Sequence, residues 1–108
     1  MSNAARIAAL NDAFRANPAL GTFVLTAGIR ANMPQDVAAI LNKVRTFKDF
    51  NEGDDPYNEH DFGACDFKGK KIFWKIDYYD RNFEFASPDA TDPAVTNRVL
   101  TIMYADEY

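Results

Sequence analysis

Apolar and polar positions along the chain change period several times, and each change marks an element. Over residues 3–16 Ile7, Leu10 and Phe14 recur at i, i+3 and i+7, flanked by Ala4, Ala8 and Ala13. That spacing predicts an amphipathic helix with a narrow apolar stripe, stopped by Asn17-Pro18. Residues 22–27, TFVLTA, read as a strand, with Gly28 ending it or turning the chain at positive φ. The clearest helical period follows, with Val37, Ile40, Leu41, Val44 and Phe47 over 34–48, opened by Pro34 in the first turn. Lys43, Arg45 and Lys48 fall near its end, where positive charge complements the helix dipole. Its apolar face needs a sheet to cover.

Beyond residue 60 the period drops to two. Residues 61–67 and 71–79 flank Lys68-Gly69-Lys70, which predicts a hairpin with Gly69 at its tip. Ile72, Trp74, Ile76 and Tyr78 share the expected core face; Phe73, Lys75, Asp77 and Tyr79 share a mixed, partly wet one. A short strand is expected at Phe83–Phe85, a single helical turn at 92–95 capped by Asp92, and a last strand over 98–104. The order α-β-α-β-β-(β)-β predicts one α+β domain over 1–108. Its sheet is expected to be antiparallel, with about four strands and two helices packed on one face.

Charge changes this picture more than composition does. The net charge is −4, but residues 1–48 hold six basic residues against two acidic ones, and residues 49–108 hold six against fourteen. The segment 49–61 carries Asp49, Glu52, Asp54, Asp55, Glu59 and Asp61 with no Lys or Arg. Read as an acidic loop, it is either a solvated stretch or a docking surface for a basic partner. Direct binding of nucleic acid is disfavoured, since phosphates would be repelled. No apolar run reaches the length of a membrane span, and the first residues show no signal-peptide core, so a cytoplasmic location is expected.

Raw material for catalysis is scarce: one histidine, one cysteine, and serines only at 2 and 87. His60 stands between Glu59 and Asp61, but neighbours on an extended segment point to opposite faces, so both carboxylates cannot clasp its ring. Cys65 reads as a small packed hydrophobe. Asp66-Phe67-Lys68 is a three-residue nuclease-like pattern of low specificity. No catalytic residue, metal ligand or cofactor is assigned. The aromatic residues among the carboxylates suit an Arg- and Lys-rich partner. The expected partner-binding residues are therefore Asp54, Asp55, Tyr57, Glu59, Asp61, Phe73, Asp77 and Tyr79.

Three stretches carry a family likeness: Asp55-Pro56 with Glu59-His60-Asp61-Phe62-Gly63, then Phe73 to Asp80, then Arg98 to Met103 with Glu107-Tyr108. Arg6 to Asp12 and Leu25 to Gly28 add to it. The sequence resembles an uncharacterised domain family of alphaproteobacteria and their plasmids and phages. The resemblance implies a small cytoplasmic bacterial protein from the neighbourhood of mobile elements, a setting that favours anti-defence proteins. The resulting expectation is a non-enzymatic inhibitor, anti-CRISPR or anti-restriction, docking on a basic nucleic-acid-binding surface. The alternatives are a metal-assisted enzyme centred on Glu59-His60-Asp61 and a module that pairs weakly with itself.

Overall fold

The computed structural model describes residues 2–108. Helix α1 spans Asn3–Ala16, β1 Thr22–Leu25, α2 Ala27–Arg30, α3 Pro34–Arg45, β2 Phe62–Phe67, β3 Lys70–Tyr79 and β4 Asn97–Tyr104. Short 3-10 turns lie at Pro18–Leu20, Pro93–Val95 and Ala105–Glu107. The fold is α+β. Ser2 caps α1 by accepting from the Ala5 amide, and Asp92 caps the turn before β4 as its sequence suggests.

The four strands form one sheet in the order β1-β4-β3-β2. β2 and β3 form the hairpin, with Phe67 opposite Lys70 and both loop residues at positive φ, Lys68 at 48° and Gly69 at 80°. A two-residue loop of that hand matches the twist of the strands it joins. The sheet is mixed, not purely antiparallel as expected: β1 runs parallel to β4, Thr22 opposite Val99 through Leu25 opposite Ile102. The chain goes from β1 through α2, α3, β2 and β3 before β4 returns beside it, and no local turn dictates that pairing's direction.

Three further expectations need correction. Phe83–Phe85 forms no strand; Phe83 and Phe85 are exposed in a turn closed by the Asp80 amide donating to the Phe85 carbonyl. Residues 27–30 are helical, so the first strand stops at Leu25. Gly28 is not at positive φ; among the described residues Gly69 is the one glycine that is. Its role is clearance, because a Cβ there would stand 2.7 Å from Oε1 of Glu107.

The core fills one face of the sheet. Phe14, Ile29, Ile40 and Val44 of the helices meet Ile72, Trp74, Ile76, Leu100 and Ile102 of the strands. Trp74 is fully buried, and Gly63 opposite it is required by its ring, since a Cβ would fall 2.4 Å from Nε1. Polar residues enter this layer too. Arg15, only 3% exposed, donates from Nη1 to the carbonyls of Val44 (2.8 Å) and Phe47 (3.1 Å) at the end of α3. Arg45 returns the contact by donating to the last carbonyl of α1, Ala16, at 3.3 Å. Each helix thus satisfies orphan carbonyls of the other.

Candidate functional site

The acidic loop is held by its own side chains. Asn51 starts it: its Oδ1 accepts from the Asp54 amide at 2.9 Å and its carbonyl from the Asp55 amide at 2.7 Å. Asp55 then turns inward, 2% exposed, and its Oδ1 accepts the amides of Glu59 (2.9 Å) and His60 (3.1 Å). Asn58 and His60 sit at φ 57° and 56°, a left-handed conformation that Asn and His adopt more readily than most residues.

His60 fastens the loop to the body. Its Nδ1 lies 3.0 and 3.1 Å from the two carboxylate oxygens of Asp12 on α1. A carboxylate only accepts, so Nδ1 carries the proton of that bond. Nε2 stands 3.9 Å from Oδ2 of Asp55. The ring stacks on Phe50 at 3.8 Å and 3°, and Phe50 in turn meets Trp74 edge-on. Asp12 is shared, because Oδ1 also takes Nη2 of Arg15 at 2.7 Å. A second fastening lies alongside. Asn11, fully buried, donates to the Glu59 carbonyl (3.0 Å) and the Tyr78 hydroxyl (2.9 Å), and accepts from Nε of Arg98 (2.8 Å). Burial first, then the nearby carboxylates Asp61 and Glu59, push the Tyr78 phenol up from its ordinary value, so it stays a donor to Glu59.

A cleft of about 300 Å³ opens beside this latch, lined by Asp12, Arg15, Arg45, Lys48, Phe50 and His60 among others. Both imidazole nitrogens face carboxylates, and Thr46, the one hydroxyl on the wall, is engaged with the Asn42 carbonyl at 2.8 Å. A ring so placed holds the loop to the body. The Glu59-His60-Asp61 centre is not assembled as one group. The imidazole goes to Asp12 and Asp55, and Glu59 receives Tyr78. Among the described residues no three His, Cys, Asp or Glu side chains converge to hold a metal ion. Cys65 is half-buried beside α3, its thiol pushed up by burial, and Lys68 of the nuclease-like triplet pairs with Asp36 at 3.1 Å.

Residues 25–107 match the family described as protein of unknown function (DUF3768). The chain belongs to that family. No curated protein and no solved structure matches it. The DUF3768 segment starts at the last residue of β1, so α1, with Asn11, Asp12 and Arg15, lies ahead of it, as does the Arg6–Asp12 stretch. The latch therefore joins a loop inside the DUF3768 segment to a helix outside it.

The structure divides the expected partner-binding residues into three groups. Tyr57, 75% exposed, stands on the outside of the loop with the exposed Asp49 and Glu52, and Asp54 is half-exposed there, accepting from Nδ2 of Asn51 at 3.3 Å. Phe73, Asp77 and Tyr79 lie on the sheet face away from the helices, Asp77 paired with Lys75 at 3.1 Å and Phe73 packed by Phe62 and Tyr108. Asp55 belongs to neither, being buried, and Glu59 is half-turned inward. Asp61 bridges the two surfaces: its carboxyl is raised by partial burial first and then by repulsion from Glu59, Asp55 and Asp77. The sequence reading missed Asn11, Asp12, Arg15, Phe50 and Arg98. One signal was present, since Ile7, Asn11 and Arg15 follow at i, i+4 and i+8 along a buried helix face.

Proposed function

We propose that this protein is a non-enzymatic acidic interaction protein. Its loop docks on the basic, nucleic-acid-binding surface of a partner, with carboxylates standing where phosphates would. The observation that supports it is the latched loop. Asp55 and His60 are turned inward to hold the backbone, which leaves Asp49, Glu52 and Tyr57 exposed and Asp54 half-exposed on a fixed frame. A loop ordered before binding spares the partner the entropy of ordering it. Tyrosine among acids is a serviceable anchor for Arg-rich surfaces. The finer reading, an anti-defence inhibitor of a CRISPR or restriction complex in a bacterial cytoplasm, rests on the family resemblance alone. No described helix is long and apolar enough to cross a membrane.

The test is capture from host lysate on immobilised protein. The captured partner should be a nuclease or effector complex, and added duplex DNA should release it. A variant carrying Asp49→Lys, Glu52→Lys and Asp54→Lys should capture none of it while keeping the wild-type fold. Capture that neither DNA nor the triple reversal disturbs would overturn the reading. Asp55 is left out of that variant because reversing a buried carboxylate would unfold the loop.

A further inference from the structure

A second cavity in the molecule has the makings of a ligand site. Between the C-terminal half of α1, the start of β1 and the start of β4 lies a partly enclosed cavity of about 200 Å³. Its wall is mostly apolar, built from Leu10, Ala13, Phe14, Leu20 and Pro93, with Arg98 and Arg81 supplying the charge. Arg81 is tied at the rim by donating to Oδ1 of Asn97 at 2.7 Å.

Arg98 is the informative residue. It is only 5% exposed, on the helix-facing side of β4 opposite Tyr78. A buried cation is costly unless it is paired. Yet among the described residues no carboxylate forms an ion pair with it. Nε goes to the Asn11 amide oxygen, Nη2 to the Ala90 carbonyl, and the Tyr78 ring lies 5.2 Å from the guanidinium carbon. Glu59 acts on it at longer range, without an ion pair, and takes the Tyr78 hydroxyl. Nη1 has no partner among the described residues, and it is not among the atoms sealed away from water-sized space. Arg98, which lines the cavity, therefore keeps one donor with no protein partner, and no carboxylate among the described residues stands in ion-pair contact with it. Burial also holds its pKa below the ordinary arginine value, the sign of an incompletely compensated charge.

We infer that this cavity binds a small organic anion, a carboxylate on a compact apolar body, with Arg98 as its counter-charge. The size fits, since a dry cavity of roughly 150 Å³ is enough for benzene. A ring or a short branched chain with one carboxylate would fill the space that Leu10, Phe14 and Leu20 line and bring its oxygens to Nη1. The cavity lies apart from the outer face of the acidic loop, and Arg98 also holds Asn11, which fastens that loop.

The experiment uses benzoate as the probe, with benzyl alcohol as its uncharged counterpart, and follows amide and arginine side-chain resonances of the full chain. Benzoate should produce saturable shifts confined to Leu10, Phe14, Gly21 and Arg98, including the Arg98 Nε–H, with a Kd of about 1 mM or tighter. Benzyl alcohol should bind roughly tenfold more weakly, because it offers no charge to the guanidinium. Ala13→Phe, at an exposed helical position on the cavity wall, should keep the fold and lose the benzoate shifts. Overturning results are an absence of saturable shifts with benzoate, equal affinity for the alcohol, or an undiminished response in Ala13→Phe. The first two are read on the wild-type protein, so they hold whatever the variant's stability.

Discussion

His60 holds the loop by both its side chain and its backbone. It joins Asp12 through Nδ1, stacks on Phe50, and lends its backbone amide to Asp55. His60→Ala should therefore lower stability by about 1–3 kcal/mol, the range for a lost partly buried hydrogen bond with its packing. His60→Asn should lose less, because asparagine tolerates the left-handed backbone at that position. Melting temperature beside partner capture on the same preparation separates this from a role in contact: the folded fraction of either variant should still capture partner. Asp61 tests the opposite sign. Its carboxyl is raised in the folded state by partial burial, then by Glu59, so the native protein binds that proton more tightly than the unfolded chain does. Stability then declines as pH climbs from the ordinary carboxylate value through the raised one. Asp61→Asn should raise the melting temperature at neutral pH. That gain should vanish below the ordinary carboxylate pKa, where both states of the wild type are protonated.

Among the elements, α3 carries the most consequence, because it packs on the sheet and also ends at the latch. Val44 is fully buried in the core, and its carbonyl accepts from Arg15. Val44→Asp would place an unpaired charge there, with a cost of about 3–5 kcal/mol. Thermal unfolding near the wild-type temperature would contradict this packing. The same helix shows why parts of the fold were legible in the sequence. Four apolar positions of α3 at helical spacing, Val37 to Val44, and the alternation from Ile72 to Tyr78 are each local, so α3 and the hairpin are written where they form, although the helix ends at Arg45 and leaves Phe47 beyond it, short of the expected 48. The parallel pairing of β1 with β4 joins residues more than seventy positions apart, and no turn chemistry encodes it. Four residues of α2 are too few to show a period. Phe83 and Phe85 look like strand residues, but Asp80 accepts the amides of Asn82 and Glu84 and winds that stretch into a turn. The site was legible only on its loop side. Asp12 meets His60 across 48 positions, and Asn11 and Arg15 are polar residues on a face that an apolar-inside reading assigns to hydrophobes.

At the scale of the whole molecule, the contrast between a basic first half and an acidic second half is softened by burial. Arg15 and Arg98 both end inside, Arg15 against Asp12 and the end of α3, Arg98 behind α1. Two cations and one carboxylate, Asp55, leave the exterior, so the surface is more acidic than the net charge of −4 suggests. That excess acts on a basic partner before contact, by steering diffusional encounter, and is screened beyond about 8–10 Å at 0.10–0.15 M ionic strength. The salt dependence of binding should therefore fall mainly on the association rate. As salt is raised, association should slow by roughly tenfold or more while dissociation changes several-fold less. The Asp49, Glu52 and Asp54 reversal should remove both the fast association and its salt sensitivity, whereas Tyr57→Ala should leave association nearly unchanged and speed dissociation, because an anchor acts only after docking. Surface-plasmon traces of the captured partner over a salt series would decide it. An association rate flat with salt, or a Tyr57→Ala variant that dissociates like wild type, would place the docking surface elsewhere, with the sheet face around Phe73 and Tyr79 the next to examine.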